Sequence, residues 1–187
     1  MLNPSRTVAL LFSATAALAL SACSNLVPST LARLSVLDPL TADPAGFAIG
    51  VETTQGVDLR ENTVLLVFTA TKGSSGQIRR EAFTLAENRT DNMRTVYTIS
   101  PEGVIEMRAL QRELSTWDDG SDVSNSLALE VTADGCRVES TTPPDDPRVS
   151  IFMQLAADSP MLPLLRNAPL SEMFDVKDLA ELPQCSG

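Results

Sequence analysis

The chain has 187 residues, enough for one ordinary domain with a sizeable core, and a formal net charge of −10 at pH 7. It contains no histidine, which excludes a Ser-His-Asp or Cys-His triad and any His-ligated zinc or haem site. The acidic balance argues against nucleic acid as a partner, because its phosphates would be repelled.

The first segment reads as an export signal. Residues 1–6, "MLNPSR", are polar and carry a single positive charge at Arg6, and "TVALLFSATAALAL" then runs without a charge. Small residues, Ser21 and Ala22, precede Cys23. A basic start, an apolar run and a small-residue cleavage site are the parts of a secretory signal peptide. The apolar run is shorter than the roughly 20 residues a membrane-spanning helix needs.

Leu20-Ser21-Ala22-Cys23 resembles the lipobox of bacterial lipoproteins: leucine, two small residues, then cysteine. The resemblance implies a diacylglycerol thioether on Cys23, cleavage of residues 1–22 before it, and usually acylation of the new amino terminus. One acyl chain holds a protein at a bilayer marginally, whereas two or more hold it stably. A membrane contact through acyl chains on Cys23 is therefore the expected anchor. Ser24 in place of aspartate resembles the outer-membrane sorting pattern of enteric lipoproteins, so the expected address is the outer membrane facing the periplasm. Losing residues 1–22 removes one positive charge, Arg6, and leaves the remainder still more acidic. That disfavours a protein surface lying flat on anionic lipid.

Residues 23–45 are expected to be the lipidated cysteine and a tether, broken by Pro28, Pro39 and Pro44 around "LARLSVL", a candidate short helix or strand. A single globular domain is expected over 46–187. Phe47, Ile49 and Val51 alternate as in a half-buried strand, and "TVLLVFTA" at 63–70 is apolar throughout, fit for a central strand. "KGSSGQ" at 72–77 predicts a hairpin into "IRREAFTLAE", and "TVYTIS" at 95–100 a further strand.

The period then becomes helical. Ser100 is a good N-cap, Pro101 suits the first position and Glu102 the first turn, while Val104, Met107, Leu110, Leu114 and Trp117 share one face. An amphipathic helix over about 101–117 is predicted. "SLALEVT" and the cysteine-bearing segment after "ADG" predict two strands, "TTPPDDP" a loop, and "RVSIFMQLA" another strand. The proline-broken remainder predicts irregular structure with one short helix near 170–180. The fold class that follows is mainly β or α+β: a β-sandwich-like domain of about seven strands with one amphipathic helix.

Beyond Cys23, two cysteines remain, and export to an oxidising compartment predicts that Cys136 and Cys185 pair, closing a loop of 49 residues. They do not form a C-x-x-C redox motif. Other clusters carry weaker readings. Asp118, Asp119, Asp122 and Asn125 supply hard oxygens but miss the EF-hand spacing. Thr69 and Lys72 resemble a Ser-Lys pair in type only, because residues three apart on a strand point to opposite faces. Asn88-Arg89-Thr90 matches a glycosylation acceptor by chance. "PMLPLLRNAPL" at 160–170 reads either as a strap around the domain or as an exposed apolar docking strip.

No cofactor or metal motif emerges. In general organisation the chain resembles small lipobox-bearing proteins of Gram-negative bacteria, which implies a periplasmic address and no activity. The expected function is a lipid-anchored periplasmic binding or structural accessory protein of the cell envelope with an envelope protein as partner. The alternatives are a carboxylate-dependent envelope hydrolase and a carrier of a small apolar ligand, and each demands a different surface. An acid pair in a cleft marks the hydrolase, an enclosed apolar cavity the carrier, and a flat apolar patch the binder.

Overall fold

A computed structural model of the chain describes residues 25–89, 94–117, 124–139, 141–172 and 181–185. Cys23 and residues 1–22, expected from sequence to be a signal peptide, lie outside the described residues, as do Asp118, Asp119, Asp122 and Thr90.

Among the described residues the alternating and apolar segments form nine strands: β1 (Ala48–Thr53), β2 (Val57–Leu59), β3 (Leu65–Thr71), β4 (Ile78–Arg89), β5 (Thr95–Ile99), β6 (Ser126–Thr132), β7 (Gly135–Arg137), β8 (Arg148–Gln154) and β9 (Leu162–Pro169). The mainly β expectation with one long amphipathic helix is borne out. Seven of the strands make one antiparallel sheet in the order β6-β3-β4-β5-β1-β8-β9, and β2 and β7 make a separate two-stranded ribbon.

β4 explains how one sheet encloses a core. Its first part, Ile78 to Thr84, pairs with β3, and its second, Leu85 to Arg89, pairs with β5. A strand that changes partners midway lets the sheet curl, so residues from distant strands face each other across the interior. Leu66, Phe68 and Ala70 of β3, Phe83 and Leu85 of β4, Tyr97 and Ile99 of β5, and Ile49 and Val51 of β1 form that inner face. This is the period-two rule at work, with Thr69 and Glu130 on the outer face of their strands.

The long helix, α2 (Pro101–Ser115), fills half of the concave side. An earlier short helix, α1 (Pro28–Leu34), precedes the sheet. α2 begins where its sequence says it should: the Ser100 hydroxyl accepts from the Gly103 N–H at 3.0 Å, and Pro101 opens the first turn. Val104, Met107, Leu110, Leu114 and Trp117 are all buried. Gln111 is buried too, and its amide donates to the carbonyls of Pro39 and Ala42, both at 2.8 Å, which pins the incoming loop across the helix. A buried amide with both donors used is a positioning contact rather than a cost.

Residues 25–45, part of the 23–45 segment read from sequence as tether, run along the domain. The Val27 N–H donates to the Leu164 carbonyl at 3.0 Å, the Arg166 N–H to the Asn25 carbonyl at 2.9 Å, and the Thr30 hydroxyl to the Pro163 carbonyl at 2.6 Å. α1 thus lies beside β9. The strand β9 itself departs from the irregular structure its prolines suggest. Pro163 and Pro169 fit because β9 is an edge strand, where a missing N–H need not cost a ladder bond. Of the short helix expected near 170–180, Leu170–Glu172 form a 3-10 turn and the rest lies outside the described residues.

Candidate functional site

The half of the concave side that α2 leaves uncovered is the candidate site. A cleft of about 300 Å³ lies there, walled by Ile49 and Val51 of β1, Val149 and Ile151 of β8, Val57 and Leu59 of β2, and Val131 of β6. Leu170, Ala133, Gly135 and Leu182 complete much of the remaining wall. No residue of α2 takes part. The cleft exists because the helix is too short to cover β1 and β8 as well, and a three-residue ribbon strand cannot fill the space the helix leaves.

The chemistry of the wall is nearly uniform. Among the described residues Thr53 and Thr132 are its polar side chains, and no charged group lines it. The Thr53 hydroxyl already donates to the Val57 carbonyl at 2.8 Å, so even this group is partly committed. Its size falls at the small end of the ~300–1,000 Å³ range of small-molecule sites. A closed, empty core void costs ~24 cal/mol per Å³, which for this volume would be about 7 kcal/mol. That is comparable with the whole stability of a domain, ~5–15 kcal/mol. The cleft is therefore not an ordinary packing flaw; it opens in part to solvent and can accept an apolar guest.

The disulfide builds one side of it. Cys136 of β7 is bonded to Cys185 as the sequence predicts, and Cys136 is fully buried. The crosslink holds the tail 181–185 alongside β7, where the Arg137 N–H donates to the Pro183 carbonyl at 2.8 Å and the Cys185 N–H to the Arg137 carbonyl at 2.9 Å. The Arg137 guanidinium also donates to the Leu182 carbonyl at 2.9 Å. These contacts set Leu182 against Gly135, where an added Cβ would meet the leucine methyl at 3.3 Å. The tail is thus a wall of the cleft as well as a strap.

A second, smaller pocket of about 40 Å³ lies under the loop before β1, between Phe68, Met107, Leu129 and Leu155. Asp43 stands at it, and the Arg108 guanidinium, with the Ala45 N–H, holds its carboxyl below the usual carboxylate range. Among the described residues neither cavity brings together the pair of carboxylates a glycan hydrolase requires. Among the described residues no three His, Cys, Asp or Glu side chains gather as a metal site.

The remaining sequence candidates are separated by the fold. The Asn125 side chain accepts from the Gly73 N–H at 3.0 Å, bracing the β3–β4 turn. Thr69 sits within β3, whereas Lys72 opens that turn. Asn88 donates to the Thr98 hydroxyl at 2.8 Å across β4 and β5. The apolar stretch 160–170 is mostly β9, half-buried against β8 and covered by residues 25–30, which is closer to a strap than to an open docking strip.

Compared with known proteins, the chain matches no family model, no curated protein and no solved structure. The site therefore has to be read from its own chemistry. The sequence offered an apolar-ligand carrier as one alternative and did not place the cleft. The one signal pointing toward its position was the cysteine pair, which ties the tail to the strand beside it.

Proposed function

We propose that this chain is a lipid-anchored protein of the bacterial cell envelope that acts by binding a small apolar ligand in the cleft between β1, β8 and the β2–β7 ribbon. The observation that carries the reading is the cleft itself: about 300 Å³ of almost wholly aliphatic wall, with no charged side chain among the described residues. Burying an aliphatic guest there is worth ~25 cal/mol for each Å² removed from water, without any polar group to satisfy. An unbranched or lightly branched hydrocarbon segment fits this chemistry; an ionic ligand does not. Any polar end must reach Thr53, Thr132 or solvent.

Support for the address comes from Leu20-Ser21-Ala22-Cys23 and from the expectation that acyl chains on Cys23 are the membrane contact, at the outer membrane facing the periplasm. An anchored binder at that surface would receive its ligand from, or pass it to, lipid or an envelope protein.

The ligand is tested by titrating the full chain with a fluorescent fatty acid. Ile151→Trp fills the floor of the cleft, and Ala133→Trp places a ring at its partly exposed rim. Each is expected to weaken binding by about tenfold or more, the loss of roughly 1.4 kcal/mol or more of apolar burial. Binding that survives both variants unchanged would show that the probe sits elsewhere. The anchor is checked separately with labelled palmitate: the parent chain takes up label, and Cys23→Ala takes up none. Label persisting in that variant would remove the lipoprotein reading without touching the cleft.

A further inference from the structure

The two edges of the seven-stranded sheet are finished in different ways. β9 contains Pro163 and Pro169, breaks register twice against β8, and holds Asn167 at φ 47°. Residues 25–30 run along its outer side. Prolines, irregular pairing and a covering segment all stop an edge from recruiting another strand. Among the described residues β6 has none of these. Ser126–Thr132 contains no proline, glycine or lysine and pairs with β3 through seven unbroken positions. Among the described residues no strand pairs with its other side. Its inward row is apolar, yet Leu129 and Val131 are 41% and 38% exposed.

We propose that β6 pairs antiparallel with β6 of a second copy of this chain, about a two-fold axis passing through Leu129. The segment is nearly self-complementary in that register. Ser126 meets Thr132, Leu127 meets Val131, Ala128 meets Glu130, and Leu129 meets its own counterpart. Every apolar residue of the inward row thereby lies opposite another. The lone charge, Glu130, faces alanine, and the two Glu130 carboxylates are diagonal neighbours, roughly 7–8 Å apart between strands.

Other registers are worse. Sliding by two residues one way sets Glu130 directly opposite itself, a like-charge pair that destabilises a sheet. Sliding the other way strips Val131 and Thr132 of partners. A two-fold pairing of this kind is also closed, using the same strand on both copies and leaving no further edge at β6. The joined sheet continues from β3 of one copy to β3 of the other, and ends on both sides at the blunted β9.

The pairing is tested with Leu129→Cys in the full chain. Cys136 and Cys185 are already bonded to each other and Cys23 is replaced by alanine in every chain compared, so the new thiol on the axis has its counterpart as nearest partner. Air oxidation is expected to give a species of twice the 20.0 kDa chain mass on a non-reducing gel. Neither the parent chain nor Ile105→Cys, on the exposed side of α2, should give it. No adduct, or an adduct with a different protein in cells, would overturn self-pairing. Leu129→Lys sets two cations together on the axis and should halve the mass in sedimentation equilibrium while keeping a cooperative unfolding transition. A parent chain that sediments as a single copy overturns the proposal outright.

Discussion

Phe68→Ala is expected to lower the unfolding free energy by about 3–5 kcal/mol, a large share of the ~5–15 kcal/mol a domain has. Phe68 is 1% exposed at the centre of β3, with β4 on one side, β6 on the other and α2 above. Removing its ring leaves a hole that the surroundings must collapse to fill. Three features oppose collapse. β3 is locked by ladders on both sides, the helix above is fixed at its cap by Ser100, and the incoming loop is tied to it by Gln111. A partly open pocket of about 40 Å³ already adjoins the ring, so the new space adds to an existing one. These put the cost in the upper part of its range.

Trp117, the single tryptophan and 8% exposed, reports the transition by fluorescence. For a chain of this size the melting temperature should fall by roughly 10 °C or more. Val36→Ala, at 83% exposure, should stay within about 0.5 kcal/mol of the parent. Because Phe68 does not line the apolar cleft, ligand affinity well below the transition should be unchanged. A loss below about 1 kcal/mol would mean that Phe68 is not clamped between β3 and α2 as described.

What could be read in the sequence divides along a physical line. Features set by neighbours in the chain were legible. The alternation at Ile49 and Val51 became β1, the apolar run around Phe68 became β3, and Ser100-Pro101 opened α2. Features set by distant partners were not. Nothing local tells that β1 sits between β5 and β8, or that all seven strands share one sheet, because pairing order is decided by how the whole core closes. β2 and β7 have three residues each, too few for any period to show. The prolines of β9 read as breakers, since only an edge position makes them tolerable, and edges are a tertiary fact.

The cleft was hidden for a related reason. Ile49, Val51, Val149 and Ile151 alternate just as Leu66, Phe68 and Ala70 do. An inward aliphatic residue looks the same in sequence whether another side chain or empty space lies opposite. The difference lies in the reach of α2, which ends at Ser115 and covers only part of the sheet. The cysteines were legible because their chemistry depends on compartment rather than on packing, though their pairing did not reveal that Leu182 walls a cavity.

That pairing yields the second large effect. Replacing Cys136 and Cys185 together by alanine, or reducing the bond, should cost up to about 4 kcal/mol, the chain-entropy value for a loop of 49 residues. The loss should have a local part. Without the crosslink, the tail 181–185 is held by three hydrogen bonds to Arg137 and by the contact of Leu182. Hydrogen bonds contribute ~1 kcal/mol each on balance, and half-buried Leu182 a part of the ~1.5–3 kcal/mol of a fully buried leucine. Ordering five residues costs ~1–2 kcal/mol apiece in backbone entropy alone. The two sides are of similar size, so the crosslink decides whether the tail stays. Its removal should therefore raise hydrogen exchange at Arg137 and Cys185, or the alanine in its place, before the sheet opens, and should weaken apolar-ligand binding because one wall leaves. Urea titrations read by Trp117, run with and without reductant, measure the global part; exchange and ligand titration measure the local one. If the reduced chain keeps its tail protected and its affinity intact, Leu182 is held by packing alone and the disulfide is no part of the site. If stability falls while both persist, the crosslink acts only on the unfolded chain, and the wall of the cleft must be credited to β7 and Arg137.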